Sequence, residues 1–316
     1  MARHSSVKTK YKTVAHKGSN SRPAVVAKRR AAAKPRVQKY VYFFGGGKAD
    51  GRGNQKELLG GKGAGLAEMT SIGLPVPGGF TITTEACAKY YDLGRKFPAG
   101  LAEQVDQNLA RLERVTGKKL GDALDPLLVS VRSGAARSMP GMMETVLNLG
   151  LNDTSVEGLA TRTKNPRFAY DAFRRFIQMY STVVIGLAKD ELEHMLHDLK
   201  HRLGVQTDPE IPADALKGLC GQFKAFFELK TGRAFPQDPK EQLWGAIGAV
   251  FGSWMAEKAE TYRRVEKISG LSGTAVNICQ MVFGNKGDRS GTGVCFTRDP
   301  NSGENEFYGD LLINAQ

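Results

Sequence analysis

Apolar and polar positions follow two rhythms along this chain, one of period two and one of helical spacing. Tyr40 to Phe44 is a short aromatic and β-branched run, and Gly45 to Gly47 follow it, which predicts a strand closed by a turn. Leu66 and Met69 lie three apart on a short helix. The proline and glycine turn "LPVPGGF" then leads into a second strand, "FTITT", and a helix over Glu85 to Tyr91. Leu101, Val105, Leu109, Leu112 and Val115 recur at helical spacing and predict an amphipathic helix covering a sheet. "LLVSVRS" alternates by two, with Ser130 and Arg132 on one strand face and Val129 and Val131 on the other.

From about Leu151 to Pro236 the rhythm becomes helical. Phe173, Phe176 and Tyr180 share a face, with Phe168 near its start, and later stripes are built from Leu192, Leu196, Leu199 and Leu203 and from Leu216, Leu219, Phe223 and Phe226. "LWGAIGAVFGSW" predicts another helix, after which Ala275 to Phe283 reads as a buried strand and Val294 to Thr297 as a further one. Strand, glycine turn, helix, strand, helix predicts an α/β (α+β) layer. It occupies residues 40–150 and 237–316, interrupted by a helical insertion over 151–236.

Charge divides the chain differently. The net charge of +13 suggests a polyanion partner, but residues 1–39 hold twelve Lys or Arg and no acid, leaving about +1 for everything after them. That segment has too little apolar surface to pack, so it is expected to be a disordered basic tail. It is the only part expected to touch nucleic acid, since the remainder shows no basic patch interleaved with aromatics. It lacks the hydrophobic run of a secretory signal and the apolar helix face of a transit peptide, and no run reaches bilayer-spanning length. A cytoplasmic protein is the expectation. The cysteines Cys87, Cys220, Cys279 and Cys295 form no CxxC pair, which argues against structural zinc and for a reducing compartment.

The candidate chemistry sits in glycine-rich stretches. "ELLGGKGAGLAEM" places Lys62 among four glycines just ahead of a predicted helix, either as a phosphate ligand or as a charge in a surface turn. It lacks the spacer and hydroxyl residue of a Walker loop. Arg132 leaves its strand beside a glycine-containing loop, suited to clamping a phosphoryl group or to pairing with an internal carboxylate. In "SMPGMM", Met139, Met142 and Met143 surround a tight turn at Pro140-Gly141, which fits a mobile lid or a loop packed at a domain boundary. "GNKGDRSGTG" offers the amides of Gly291, Thr292 and Gly293 to a phosphate, although a plain hairpin needs glycines there too. His194, His197 and His201 lie almost opposite the leucine stripe of their helix, so they face solvent and do not make a zinc site. Three phosphate-compatible stretches in one chain favour a nucleotide enzyme.

Those stretches, together with "PLLVSVRSGAARSMPGMMETVLNLGLND", "NPRFAYDAFRRFIQMY", "FPQDPKEQLWGAIGAVFGSW" and "GTAVNICQMVFGNKGDRSGTGVCFTRDPNSGE", resemble the N-terminal nucleotide-binding part of the pyruvate, phosphate dikinase family over about residues 40–316. The resemblance implies an ATP-grasp domain with a helical insertion. It also implies a reaction converting ATP, phosphate and pyruvate into AMP, diphosphate and phosphoenolpyruvate through a phosphohistidine. By motif, Lys62 and Arg132 would bind and neutralise the ATP phosphates. Met139, Gly141, Met142 and Met143, with Gly291, Thr292 and Gly293, would close around the nucleotide, and Met281 and Val282 would form the adenine hinge. Mg2+ would accompany ATP.

The sequence also departs from the family pattern. Asp288, Asp299, Glu304 and Glu306 show no paired geometry for a metal, and an acidic metal-binding strand is expected beyond Gln316. The phosphohistidine domain and the pyruvate-binding barrel, the implied partners, are not in this sequence, so the chain alone is not expected to complete the reaction. Cys279 stands where the resemblance implies a glutamine. A phosphoenolpyruvate synthase fragment or an ATP-binding remnant without activity are the alternative readings.

Overall fold

The computed structural model describes residues 38–315. The basic tail therefore lies outside the described residues except for Gln38 and Lys39. A six-stranded sheet runs in the order β2 (Lys48–Ala49), β1 (Val41–Gly45), β3 (Gly79–Ile82), β8 (Ala275–Gln280), β6 (Val129–Gly134) and β7 (Thr145–Leu149). A two-residue parallel pair, β4 (Lys119–Leu120) and β5 (Pro126–Leu127), leads into β6. Every neighbouring pair in the main sheet is antiparallel. The alternation of strands and helices thus does not generate parallel crossovers: α1 (Lys56–Ser71) returns the chain to β3, which lies directly beside β1 and runs against it.

The two faces of this sheet differ in kind. Phe43, Phe80, Ile278, Val131 and Val146 are successive cross-strand partners, all buried, and they form an apolar row. Onto that sheet pack α3 (Leu101–Thr116) and α8 (Pro239–Ser253). Leu101, Val105, Leu109 and Leu112 of α3 are buried as the periodicity predicts, whereas Val115 is 49 % exposed. The helix α2 (Thr84–Asp92) starts at Thr83, whose hydroxyl accepts the Ala86 amide as an N-cap. On the opposite face Tyr42, Thr81, Asn277, Arg132 and Thr145 are partners in the next row, and α1 covers its middle, at Thr81 and Asn277, where Gly63 makes the contact.

Between β7 and α8 the regular elements are all helical: α4 (Ser155–Thr163), α5 (Pro166–Met179) extended by a π-helical turn at Tyr180–Val184, α6 (Lys189–Leu203) and α7 (Ala213–Thr231), with a short 3-10 turn at Asp208–Glu210. Asn165 caps α5 by accepting the Phe168 amide, and Pro166 sits in its first turn, where a missing amide costs nothing. Phe168, Phe173, Phe176 and Tyr180 are buried, and Phe235 of the returning chain packs its ring against Phe173, Phe176, Tyr180 and Phe227. Arg174 is 3 % exposed and bridges Asp171 and Asp208 at 2.6 and 3.0 Å, tying α5 to the 3-10 turn. His194, His197 and His201 on α6 are all exposed.

After α9 (Glu257–Val265) and β8, the chain ends in an antiparallel hairpin of β9 (Gly291–Phe296) and β10 (Tyr308–Ile313), which forms its own two-stranded sheet. All residues of both strands are exposed. Among the described residues no helix is long and apolar enough to cross a membrane.

Candidate anion and nucleotide site

Lys62 does not sit in a loop ahead of a helix. It lies inside α1, and the glycines around it serve contact rather than exposed amides. Gly60 has φ +69° and kinks the helix, and a Cβ there would stand 1.6 Å from the Gly134 carbonyl oxygen. The Gly61 amide donates to the Ala135 carbonyl at 3.0 Å. A Cβ on Gly63 would meet Thr81 and Asn277 at 2.8–2.9 Å, whereas Gly65 faces open space. The motif therefore brings the helix backbone against the end of β6.

That approach carries Lys62 to the strand. Its Nζ donates to the Ser133 carbonyl at 3.0 Å. The residue as a whole remains exposed, but partial burial of the ammonium and, next, the positive charge of Arg132 push its pKa below the usual lysine value. Such an amine gains from a bound anion. Arg132 is exposed on β6, and among the described residues no carboxylate pairs with it, so the internal ion pair is not what the structure contains.

Lys62 and Ser133 line a cavity of about 380 Å³ together with Arg137, Ser138, Thr145 and the turn at Met139–Gly141. Two cations and three hydroxyl residues face it, with no carboxylate in its wall. Gly141 adopts φ +72° in open space, as a tight turn requires. The methionine turn packs: Met139 is 6 % exposed, and Met142 and Met143 rest partly buried against the core. Glu144 then anchors it to α9 through Lys258 at 2.6 Å.

A second cavity, of about 560 Å³, opens at the other end of β6, where Leu127 and Leu128 meet Gln280, Met281, Val282 and Phe283. β8 ends at Gln280, so the predicted strand to Phe283 stops early and Met281 to Phe283 become a lining segment. The Met281 amide is spent on the Leu128 carbonyl at 2.8 Å. Leu159, Arg162 and Thr163 of α4 form another wall, and Phe168 stacks edge-on against Phe283 at 5.0 Å. Arg132 lies on β6 between the two cavities, whose walls are about five residues, roughly 17 Å, apart along the strand.

Gly291, Thr292 and Gly293 line neither cavity. They form the start of β9 opposite Ile313, Leu312 and Leu311, and the Thr292 hydroxyl donates to the Ala315 carbonyl at 2.6 Å. Cys279, whose thiol is pushed up to about 11 chiefly by burial, turns to the Pro77 carbonyl, and its neighbour Gln280 reaches the second cavity instead. Sequence reasoning missed Arg137, Ser138, Thr145 and Gln280 as lining residues. The first three stand in or next to the methionine motif already singled out, and Gln280 directly precedes the hinge pair.

The acids do not gather for a metal. Among the described residues no three His, Cys, Asp or Glu side chains cluster, and Asp299 spends an oxygen on the Asn301 and Ser302 amides of its own turn. No carboxylate lines the first cavity, and Asp125 is the one carboxylate among the residues lining the second.

The family profile described as "Pyruvate phosphate dikinase, AMP/ATP-binding domain" matches residues 56–96 and 93–316. The chain belongs to this family. It is 54 % identical over 281 residues to the pyruvate, phosphate dikinase of Clostridium symbiosum, covering 89 % of this chain and 32 % of that enzyme. It is likewise 54 % identical over 280 residues to the chloroplastic pyruvate, phosphate dikinase 1 of Arabidopsis thaliana, covering 89 % and 29 %. The chloroplastic enzyme of Flaveria pringlei is 48 % identical over 301 residues, or 95 % of this chain and 31 % of its own length. The chain spans about a third of the length of these relatives, and the match to the family's nucleotide-binding domain takes in both cavities.

Proposed function

We propose that this chain is the ATP-binding part of a pyruvate, phosphate dikinase, with an ATP-grasp arrangement and a helical insertion over 151–236. The observation that carries the reading is the pairing of Lys62 with Ser133 beside Arg132, on a cavity with cationic and hydroxyl walls and no carboxylate. The triphosphate lies in that cavity, and the base lies in the second one, where the Met281 carbonyl and the Val282 amide meet its edge. Arg132 spans the interval with its planar guanidinium. Phosphoryl transfer asks little covalent chemistry of the protein, and fixed cations in a partly dehydrated site stabilise the charge that shifts in the transition state.

In this reading Met139, Gly141, Met142 and Met143 bound the phosphate end, and Gly291, Thr292 and Gly293 approach only when the terminal hairpin moves toward the nucleotide. The acceptor is a histidine on another domain, and a pyruvate-binding barrel completes the conversion to phosphoenolpyruvate. Magnesium is assigned to no residue here. A cytoplasmic site of action belongs to the same proposal, and a fluorescent fusion that enters an organelle would replace it.

Calorimetric titration of the folded chain with ATP tests the reading. Wild-type protein is expected to bind ATP, and Lys62→Ala and Arg132→Ala are each expected to lose about tenfold or more, the size of a charged hydrogen bond to phosphate. A well-folded chain that ignores ATP would overturn it. With binding established, phosphoryl transfer from ATP to a separately supplied histidine domain tests the dikinase step itself.

A further inference from the structure

Asn277 is the buried middle member of the polar row that runs across the sheet under α1. It stands between Thr81 on β3 and Arg132 on β6, and Arg132 in turn partners Thr145, which lines the first cavity. The side chain is 2 % exposed. Its Oδ1 accepts the Thr81 hydroxyl at 2.9 Å, which orients the amide, while its Nδ2 has no partner among the described residues. Leaving a buried amide nitrogen unpaired costs free energy that an apolar residue of the same size would not incur.

The amide occupies a particular gap. A Cβ at Gly63 would lie 2.9 Å from its Oδ1, and a Cβ at Gly134 would lie 2.4 Å from its Nδ2. Gly63 directly follows Lys62, and Gly134 directly follows Ser133, the residue whose carbonyl receives the Lys62 ammonium. Asn277 is thus wedged between the two backbone arms that carry the cations, with glycine on either side because no side chain fits.

We propose that Asn277 is a positioning residue of the anion site: its amide sets the spacing between Lys62 on α1 and Ser133 and Arg132 on β6, and so the geometry in which both cations meet a polyphosphate. The inference rests on the nucleotide reading of the cavity and adds a residue that does not itself touch the ligand. Asn277→Leu keeps the volume and removes the amide, and Thr81→Val keeps Asn277 but releases its orientation.

The test is calorimetry with ATP and, separately, adenosine, alongside thermal unfolding and an NMR titration of the Lys62 side chain in each variant. The expected result for Asn277→Leu is a loss of at least tenfold in ATP affinity, unchanged adenosine affinity and a shifted Lys62 titration, with a lowered unfolding midpoint because the buried Thr81 hydroxyl loses its acceptor. A residue with only a packing role would lower the midpoint and both affinities together, and that result would overturn the proposal, as would ATP binding within twofold of wild type. If Asn277→Leu does not fold, Thr81→Val decides: severalfold weaker ATP binding with adenosine intact supports the role, and unaltered ATP binding overturns it. If wild-type chain binds no ATP, the nucleotide reading fails by itself. The spacing claim is then judged on Lys62 alone, and an unmoved titration in Thr81→Val overturns it.

Discussion

Around Phe235 and around Gly60 the chain solves opposite packing problems. Phe235 gathers four aromatic rings at centroid distances of 5.3–6.5 Å, so the helical region is held by bulk. At Gly60 the helix meets the backbone of Gly134, and at Gly63 the side chains of Thr81 and Asn277, so closely that a single methyl group is excluded, and what is held there is the relative position of Lys62 and Ser133. Large apolar side chains contribute free energy but tolerate small shifts, because dispersion contacts are many and individually weak. A glycine contact backed by a buried amide contributes little energy and tolerates almost no displacement. The difference separates where the molecule gets its stability from where it gets its site.

Phe235→Ala tests the first half most severely. Removing a buried ring from an aromatic cluster is expected to lower the free energy of unfolding by about 3–5 kcal/mol. Denaturant unfolding measures that loss. ATP affinity of the molecules that stay folded should remain within about twofold, and a parallel loss of affinity would show that the helical region and the site are one mechanical unit.

Gly60→Ala addresses the other region. The new methyl would collide with the Gly134 carbonyl at a backbone φ of +69°. Overpacking and left-handed strain together predict a destabilisation of about 2–4 kcal/mol. Unlike Phe235→Ala, it should also abolish measurable ATP binding in the folded fraction, because α1 must move away from β6. Retained affinity would mean that the close approach is not what places Lys62.

The contrast also explains what could be read beforehand. Buried stripes such as Leu101 to Leu112 and Phe173 to Tyr180 were legible because burial leaves a periodic trace in the residue types. Val115 was misassigned to its stripe because periodicity does not say where a sheet ends. The glycines around Lys62 looked like a loop because glycine is a poor helix former, while their actual cause, contact with Gly134 and Asn277, involves residues 70 or more positions away. The antiparallel strand order was likewise invisible, as was β7, whose pattern is broken at Asn148 with φ +60°. The motifs singled out Lys62, which lines the first cavity, and Arg132, which lies on β6 between the two cavities and lines neither. Arg137, Ser138 and Thr145 were not singled out, since only the turn at Gly141 and the β6 pairing bring them into one wall.

The electrostatics of the seam give a smaller, pH-dependent effect. Partial burial and Arg132 lower the Lys62 pKa, so between that lowered value and the ordinary lysine value the unfolded chain holds more protons than the folded one. The ligand-free fold therefore gains stability from Lys62 as pH rises through this window. Under the proposed function ATP binding should move the other way, because there the charged amine meets the phosphates. Affinity is expected to decline on the order of tenfold across the window, beginning at lower pH than an unperturbed lysine would allow. Calorimetry over an alkaline pH series checks this, and the decline should vanish in Lys62→Ala.

Gly65→Ala is the smallest change and the sharpest control on the seam. It belongs to the same motif as Gly60, Gly61 and Gly63, yet a Cβ there meets nothing within 4 Å and its backbone is helical. If the motif's glycines were required as flexible elements of a loop, alanine at this position would weaken ATP binding. If they are required for contact, Gly65 is dispensable and alanine should stabilise the helix by about 0.5–1 kcal/mol through reduced backbone entropy in the unfolded chain, with ATP affinity unchanged. A raised unfolding midpoint with wild-type affinity in Gly65→Ala, set against the loss in Gly60→Ala five residues earlier, would separate the contact role of glycine from its flexibility within a single helix.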